Sequence, residues 1–139
     1  MREHILQSLN MLDISADTDR KLLSILLYTL KVLRNEVAHN GIIFDARFKD
    51  RNISPVLKTC IENEIGIHNI NLYALIDYII ITCYTLKHLD FNDDRAKKLL
   101  YKYKAEKENL EKRVSNDVYS YIFQRNELQK INALENYLN

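Results

Sequence analysis

Apolar residues recur at helical spacing along most of the chain, beginning with residues 3–12. An Asp- and Ser-containing break at residues 13–17 separates this first predicted helix from the second. The second helix is predicted to begin at Asp17 or Thr18 and to run to His39. Its wide apolar stripe consists of Leu22, Leu23, Leu26, Leu27, Leu30 and Leu33. A stripe of this width predicts a helix that lies against a core.

The middle of the chain contains a connection followed by a short helix. Residues 42–53 are apolar enough to pack against the protein rather than to extend into solvent. Ser54 and Pro55 form a good N-cap and first-turn pair for a third helix that ends near Asn63. Gly66 marks the exit from that helix.

The pattern in the second half of the chain predicts two further long helices and weaker elements behind them. A strongly apolar fourth helix covers residues 71–88, and residues 92–94 cap a fifth, whose apolar positions extend to Val114. After Ser115 the pattern continues as a separate helix or as the same helix kinked. Residues 128–138 predict a weak last helix that is frayed at its end.

The composition agrees with an all-helical protein. Two glycines and one proline among 139 residues leave little turn punctuation, which favours long helices joined by short connections. A chain of this length forms one domain, residues 1–139, that can bury a core without disulfides or metals. The fold class is therefore predicted to be all-α.

Charge and cysteine content restrict the classes of partner and compartment. The net charge of +1 excludes a uniformly basic surface, so any contact with nucleic acid is local or is formed across a dimer. Cys60 and Cys83 lie in apolar surroundings and are expected to be reduced, buried thiols. The N-terminal segment does not resemble a signal peptide, and Asp77 interrupts an apolar stretch that is too short to span a bilayer. These features predict a cytoplasmic protein without membrane contact.

The most informative motif lies at the end of the second predicted helix, in the sequence Arg34-Asn35-Glu36-Val37-Ala38-His39. Arginine offers a rigid fork of donors that matches a phosphate group, and histidine moves protons near neutral pH. On an ideal helix Arg34 and His39 point about 140° apart, whereas Asn35 and His39 share a face. Convergence of all three requires His39 to lie in a distorted last turn. The helix dipole there favours the protonated imidazole.

The R-x4-H spacing with a polar residue after the arginine resembles the HEPN superfamily of ribonucleases. The string from Leu33 to Asn40 is most similar to the Abi-like abortive-infection proteins within that superfamily. The resemblance implies an all-α, HEPN-like helical bundle of four to five main helices with a C-terminal helical extension. It also implies a metal-independent endoribonuclease of the toxin or phage-defence type, without a cofactor, with Arg34, Asn35 and His39 as catalytic residues.

The chemistry implied is attack of an RNA 2′-hydroxyl on the adjacent phosphorus, with His39 moving protons and Arg34 stabilising charge on the phosphoryl oxygens. Asn35 would hydrogen-bond the imidazole or a phosphate oxygen. An acid–base pair needs two groups in different protonation states, and a two-fold dimer with both motifs in one cleft supplies them. The resemblance therefore implies a homodimer, and an antitoxin that is protein or RNA is a further expected partner.

A second candidate region is the basic segment in the fifth predicted helix. Its lysines alternate with tyrosines, which suits phosphate contacts combined with base stacking. The solvated side of an amphipathic helix has the same pattern. The candidate RNA-binding residues are Lys97, Lys98, Lys102 and Lys104 in this segment, together with Arg47 in the predicted connection at residues 42–53.

The remaining histidines, His4, His68 and His88, show no metal-ligand spacing and no second acidic–His pair, so they are expected to be surface or capping residues. No metal site is predicted. Two alternatives to a nuclease stay open: a non-catalytic HEPN-like module that binds RNA or a protein, and a structural helical dimer in which Arg34 forms a salt bridge with Glu36 or another acid.

Overall fold

The computed structural model describes residues 21–38, 53–89, 94–123 and 125–139. These residues form six α-helices and no β-strand, which confirms the predicted all-α class. The helices are α1 (Lys21–Ala38), α2 (Pro55–Ile65), α3 (Leu75–His88), α4 (Asp94–Glu111), α5 (Asn116–Ile122) and α6 (Glu127–Leu138). The predicted helix at residues 3–12 and residues 42–52 of the predicted connection lie outside the described residues.

Helix α3 lies at the centre of the bundle and contacts α1, α4 and α6. Nearly its whole circumference is apolar, and a helix that is apolar all round is stable only when it is surrounded by protein. The buried side chains accordingly lie on several faces of the helix and include Tyr78, Ile81 and Tyr84. Burial of this helix organises the core.

Helix α3 begins at Leu75 and not at Asn71 as predicted. The reason is a turn held by Asp77: its Oδ2 accepts hydrogen bonds of 3.1 Å from the backbone N–H groups of both Asn71 and Leu72. Leu72 adopts a φ of 55°, which a helix does not allow. These contacts hold residues 71–74 in a turn that precedes the first helical residue.

Helix α2 runs two residues beyond the predicted end, to Ile65. It ends at Gly66, which adopts the left-handed conformation with a φ of 75° and donates its N–H to the carbonyl of Glu62 at 3.0 Å. At the other end Ser54 is the N-cap residue and Pro55 begins the helix, as predicted, although the Ser54 side chain makes no capping hydrogen bond. The Ser54 carbonyl instead accepts the N–H of Lys58 at 2.9 Å.

The segment after α4 resolves the alternative of a kinked or a separate helix. Helix α4 ends at Glu111, and α5 begins after Ser115, whose Oγ accepts the N–H of Val118 as an N-cap. Helix α5 has no buried residue and contacts α4. It is therefore a short addition on the outside of the bundle.

Helix α6 packs into the core along its length, so the prediction of a weak last helix that is frayed at its end is wrong. Ile131, Leu134 and Leu138 are buried, the last of them in the final turn. Polar contacts add to this packing, because the buried Lys130 ammonium meets the buried Asp77 carboxylate at 2.5 Å. The apolar spacing within α6 did not reveal these partners, which are distant in sequence.

Candidate functional site

The first two residues of the predicted catalytic motif lie on the last turn and a half of α1. Leu26 and Thr29 earlier in this helix are buried, which fixes the helix against the core. Arg34 is exposed and Asn35 is half-buried. The Arg34 Nη1 donates a hydrogen bond of 2.8 Å to the Asn35 Oδ1. The guanidinium is thus oriented by its neighbour while the Arg34 side chain stays exposed.

Helix α1 is described as far as Ala38, the residue before His39 in the sequence. His39 and Arg47 both lie outside the described residues, and so does the predicted convergence of His39 with Arg34 and Asn35. Among the described residues, Arg34 forms no ion pair with an acid. The structural alternative of a salt bridge to Glu36 concerns a side chain that is not described.

Apolar side chains surround the exposed face that carries Arg34. Leu27 lies seven residues before Arg34, nearly two turns along the same face, and is 58% exposed. Tyr28 and Val37 are also exposed. The surface of α1 therefore combines the exposed cations Lys31 and Arg34 with several large apolar groups, a composition that occurs at protein interfaces.

The second candidate region, on α4, contains three exposed lysines and one lysine that forms an ion pair. Lys97, Lys98 and Lys102 are exposed. Lys104 instead forms a bidentate contact with the Glu135 carboxylate on α6, at 2.9 and 3.0 Å. A contact of this geometry joins two helices, so Lys104 contributes to structure whatever else it binds.

A cluster that the sequence did not reveal joins the C-terminal ends of α2, α3 and α6. The His88 Nε2 lies 2.6 Å from the Glu64 Oε1, and the Tyr137 hydroxyl lies 2.8 Å from the same carboxylate oxygen. The Tyr137 hydroxyl is also 3.1 Å from the His88 Nε2. Burial, followed by the charge of Glu64, raises the pKa of the adjacent Tyr84. The expectation that His88 has no acidic partner is wrong, although His88 does end its helix as predicted.

Two buried polar contacts hold the α6 side of the bundle. The Lys130 ammonium donates to the Asp77 carboxylate and to the Asn69 carbonyl, the latter at 3.0 Å. The buried Glu127 carboxylate accepts the Tyr103 hydroxyl and lies 3.2 Å from the Lys107 ammonium. Burial, and then Glu127, raise the pKa of Tyr103. The sequence showed these groups only as isolated polar residues in apolar segments.

Neither cysteine forms a disulfide. Cys83 is buried as predicted, whereas Cys60 is only partly buried. Burial raises the pKa of the Cys83 thiol to about 12, and the Sγ lies 3.6 Å from the Ala96 carbonyl. A thiol with this pKa stays protonated near neutral pH and is a poor nucleophile.

Within the described segments, no group of three or more His, Cys, Asp and Glu side chains has the arrangement needed to hold a metal ion. None of the helices in those segments combines the length and the hydropathy required to cross a membrane. No protein-family model, no curated protein and no solved structure matches this chain.

Proposed function

We propose that this protein is a metal-independent endoribonuclease of the toxin or phage-defence type, built on a HEPN-like helical bundle. One observation carries the proposal: Arg34, the first residue of the Arg34–His39 sequence motif, is exposed near the end of α1 and hydrogen-bonded to Asn35. An exposed guanidinium that is oriented by a neighbouring amide is suited to bind a phosphodiester.

In the proposed reaction the RNA 2′-oxygen bonds to the adjacent phosphorus while the bond from phosphorus to the 5′-oxygen breaks. The 2′-hydroxyl proton passes to a base, and an acid protonates the departing 5′-oxygen. The products are a 2′,3′-cyclic phosphate and a 5′-hydroxyl. Arg34 stabilises the charge on the non-bridging oxygens, and His39 carries the protons.

A homodimer with two motifs in one cleft supplies the acid and the base as two copies of His39 in unlike protonation states. The exposed Leu27, Tyr28 and Val37 near Arg34 support a partner surface on α1. Light scattering should accordingly give about twice the chain mass of 16.5 kDa. An antitoxin, either protein or RNA, would inhibit such a dimer by blocking the cleft.

The proposal is tested by comparing two cations on α1. Arg34→Ala should abolish RNA cleavage, and Arg34→Lys should restore little of it, because an ammonium cannot replace the guanidinium fork. Lys31→Ala removes an exposed cation less than one turn earlier and should leave cleavage unchanged. Each substitution should cost no more than about 1 kcal/mol of stability, since both side chains are exposed. Equal losses of cleavage in both alanine variants would contradict a catalytic role for Arg34.

A further inference from the structure

We propose that the exposed face of α4 around Tyr101 binds single-stranded RNA, with one base stacked on Tyr101 and the flanking phosphates on Lys97, Lys98 and Lys102. The identity of the ligand as RNA rests on the proposed function. The existence of the binding surface rests on the described residues alone, and it lies on a different helix from Arg34.

Cations outnumber acids on this face. Residues 95–105 contain five cations and no acid. One of them, Lys104, is held by Glu135, whereas Lys97, Lys98 and Lys102 have no ion-pair partner among the described residues. The acids of α4 are Asp94, its first residue, and then Glu106, Glu108 and Glu111 toward the other end of the helix. The first half of α4 therefore presents a local positive surface on a chain with a net charge of only +1.

Tyr101 lies at the centre of these cations. Its side chain is 74% exposed, an unusual position for a large aromatic ring in a helix that buries Leu100 and Tyr103. Lys97 and Lys98 precede it by four and three residues, so they are its neighbours on the helix surface. A ring with ammonium groups on adjacent turns offers stacking and phosphate contacts together.

A pocket lies directly beside the ring, between α4 and the last turn of α6. Its volume is about 200 Å³, and its lining includes Lys97, Tyr101 and the apolar Leu138. Pockets for drug-sized ligands measure roughly 300–1,000 Å³, so this pocket suits a smaller group such as one planar base. The lining also contains the ion pair of Lys104 with Glu135. An aromatic ring next to a pocket of mixed polar and apolar lining matches a nucleotide better than an acidic peptide, which the Glu135 carboxylate would repel.

The exposed ring also selects single strands over duplexes. Bases inside a duplex are paired and stacked, whereas those of a single strand can turn outward onto an aromatic side chain. Phosphate contacts alone would hold either form through its charge. Stacking on Tyr101 is therefore the contact that distinguishes the proposed ligand.

Binding is measured by fluorescence anisotropy with a labelled, short 2′-O-methyl oligouridylate. This probe lacks the attacking hydroxyl, so its binding does not depend on whether the protein cleaves RNA. Tyr101→Ala should raise the Kd about tenfold, the size expected for the loss of one stacked base. The double variant Lys97→Ala/Lys98→Ala should reduce the slope of log Kd against log salt by about 1.4, or 0.7 for each phosphate contact.

Matched controls are present in the same chain. Tyr121 on α5 is also 74% exposed, so Tyr121→Ala removes an equally accessible ring. Lys112 and Arg113 are exposed cations just after α4, and their double alanine variant matches the charge change. Both controls should bind the probe like the unmodified protein.

Three results would overturn the binding surface: no binding of the probe at low salt, equal weakening by Tyr101→Ala and Tyr121→Ala, or equal affinity for a 2′-O-methyl backbone that lacks bases. The last result would indicate a surface for any acidic partner. If the unmodified protein binds the probe but does not cleave RNA, the proposed function is wrong and the proposed binding surface stands.

Discussion

Individual side chains in this bundle are placed by partners that lie far away in sequence. Glu64 and His88 are 24 residues apart, and Lys130 and Asp77 are 53 apart. Sequence periodicity reports only neighbours within one helix, so it identified Asp77 as an interruption in an apolar segment but not as half of a buried pair. The motif residues Arg34 and Asn35 are local to one helix, and for that reason the sequence could single them out.

The buried thiol and phenols predict how stability depends on pH. The pKa of Cys83 rises from 9.0 to about 12 on folding, and burial also raises the pKa of Tyr84 and Tyr103. Between about pH 9 and about pH 12 the unfolded chain therefore loses the Cys83 proton before the folded chain does. The stabilising contribution of Cys83 is complete below pH 9 and is lost as the pH rises through this window.

This dependence is measurable in urea. The unfolding midpoint of the unmodified protein should fall as the pH increases above about 9, and Cys83→Ala should show a shallower decline. Cys60→Ser is the comparison: burial, and then Glu64, raise the pKa of Cys60 as well, but Cys60 is only partly buried, so its removal should change the decline less than Cys83→Ala does. A decline that is equally steep in Cys83→Ala and in the unmodified protein would contradict the assigned cause.

At the scale of helices, the sequence predicted each of the described elements but not all of their ends. The end of α2 at Gly66 was predicted correctly, because the left-handed residue that follows a helix is usually glycine and can be recognised in the sequence. The start of α3 was misplaced since a carboxylate further along the chain, Asp77, holds the preceding turn. The strength of α6 was underestimated for a related reason: its stability depends on Lys130 and Glu127 finding buried partners on other helices.

Removal of one member of the buried pair should therefore destabilise α6 selectively. Lys130→Met leaves the Asp77 carboxylate buried without its cation, and we expect a loss of about 3–5 kcal/mol in the free energy of unfolding. Lys104→Met breaks the partly exposed pair between Lys104 on α4 and Glu135 on α6, and it should cost at most about 1 kcal/mol in the free energy of unfolding.

Chemical denaturation followed by circular dichroism measures both losses, and hydrogen exchange of α6 amides locates them. The double variant Asp77→Asn/Lys130→Met should recover part of the stability, because it removes the uncompensated charge. A loss in Lys130→Met no larger than that in Lys104→Met would show that the buried pair does not anchor α6.

At the scale of the whole molecule, the residues that join the helices are different from the exposed residues that suit binding. The buried polar contacts and the cluster at Glu64, His88 and Tyr137 hold α2, α3, α4 and α6 together. The exposed side chains that suit binding lie on α1 and α4, around Arg34 and Tyr101. This separation supports the proposal that α1 carries the cleavage chemistry and α4 an RNA contact.

The most direct measurement is incubation of the purified protein with a structured RNA in EDTA, followed by identification of the product ends. We expect cleavage that EDTA does not slow and products with 2′,3′-cyclic phosphates and 5′-hydroxyls. The reaction should be lost in His39→Ala and retained in His68→Ala, which removes an exposed histidine elsewhere. Activity that disappears in EDTA and returns with magnesium or manganese, or that survives in His39→Ala, would contradict metal-independent cleavage by the Arg34–His39 motif.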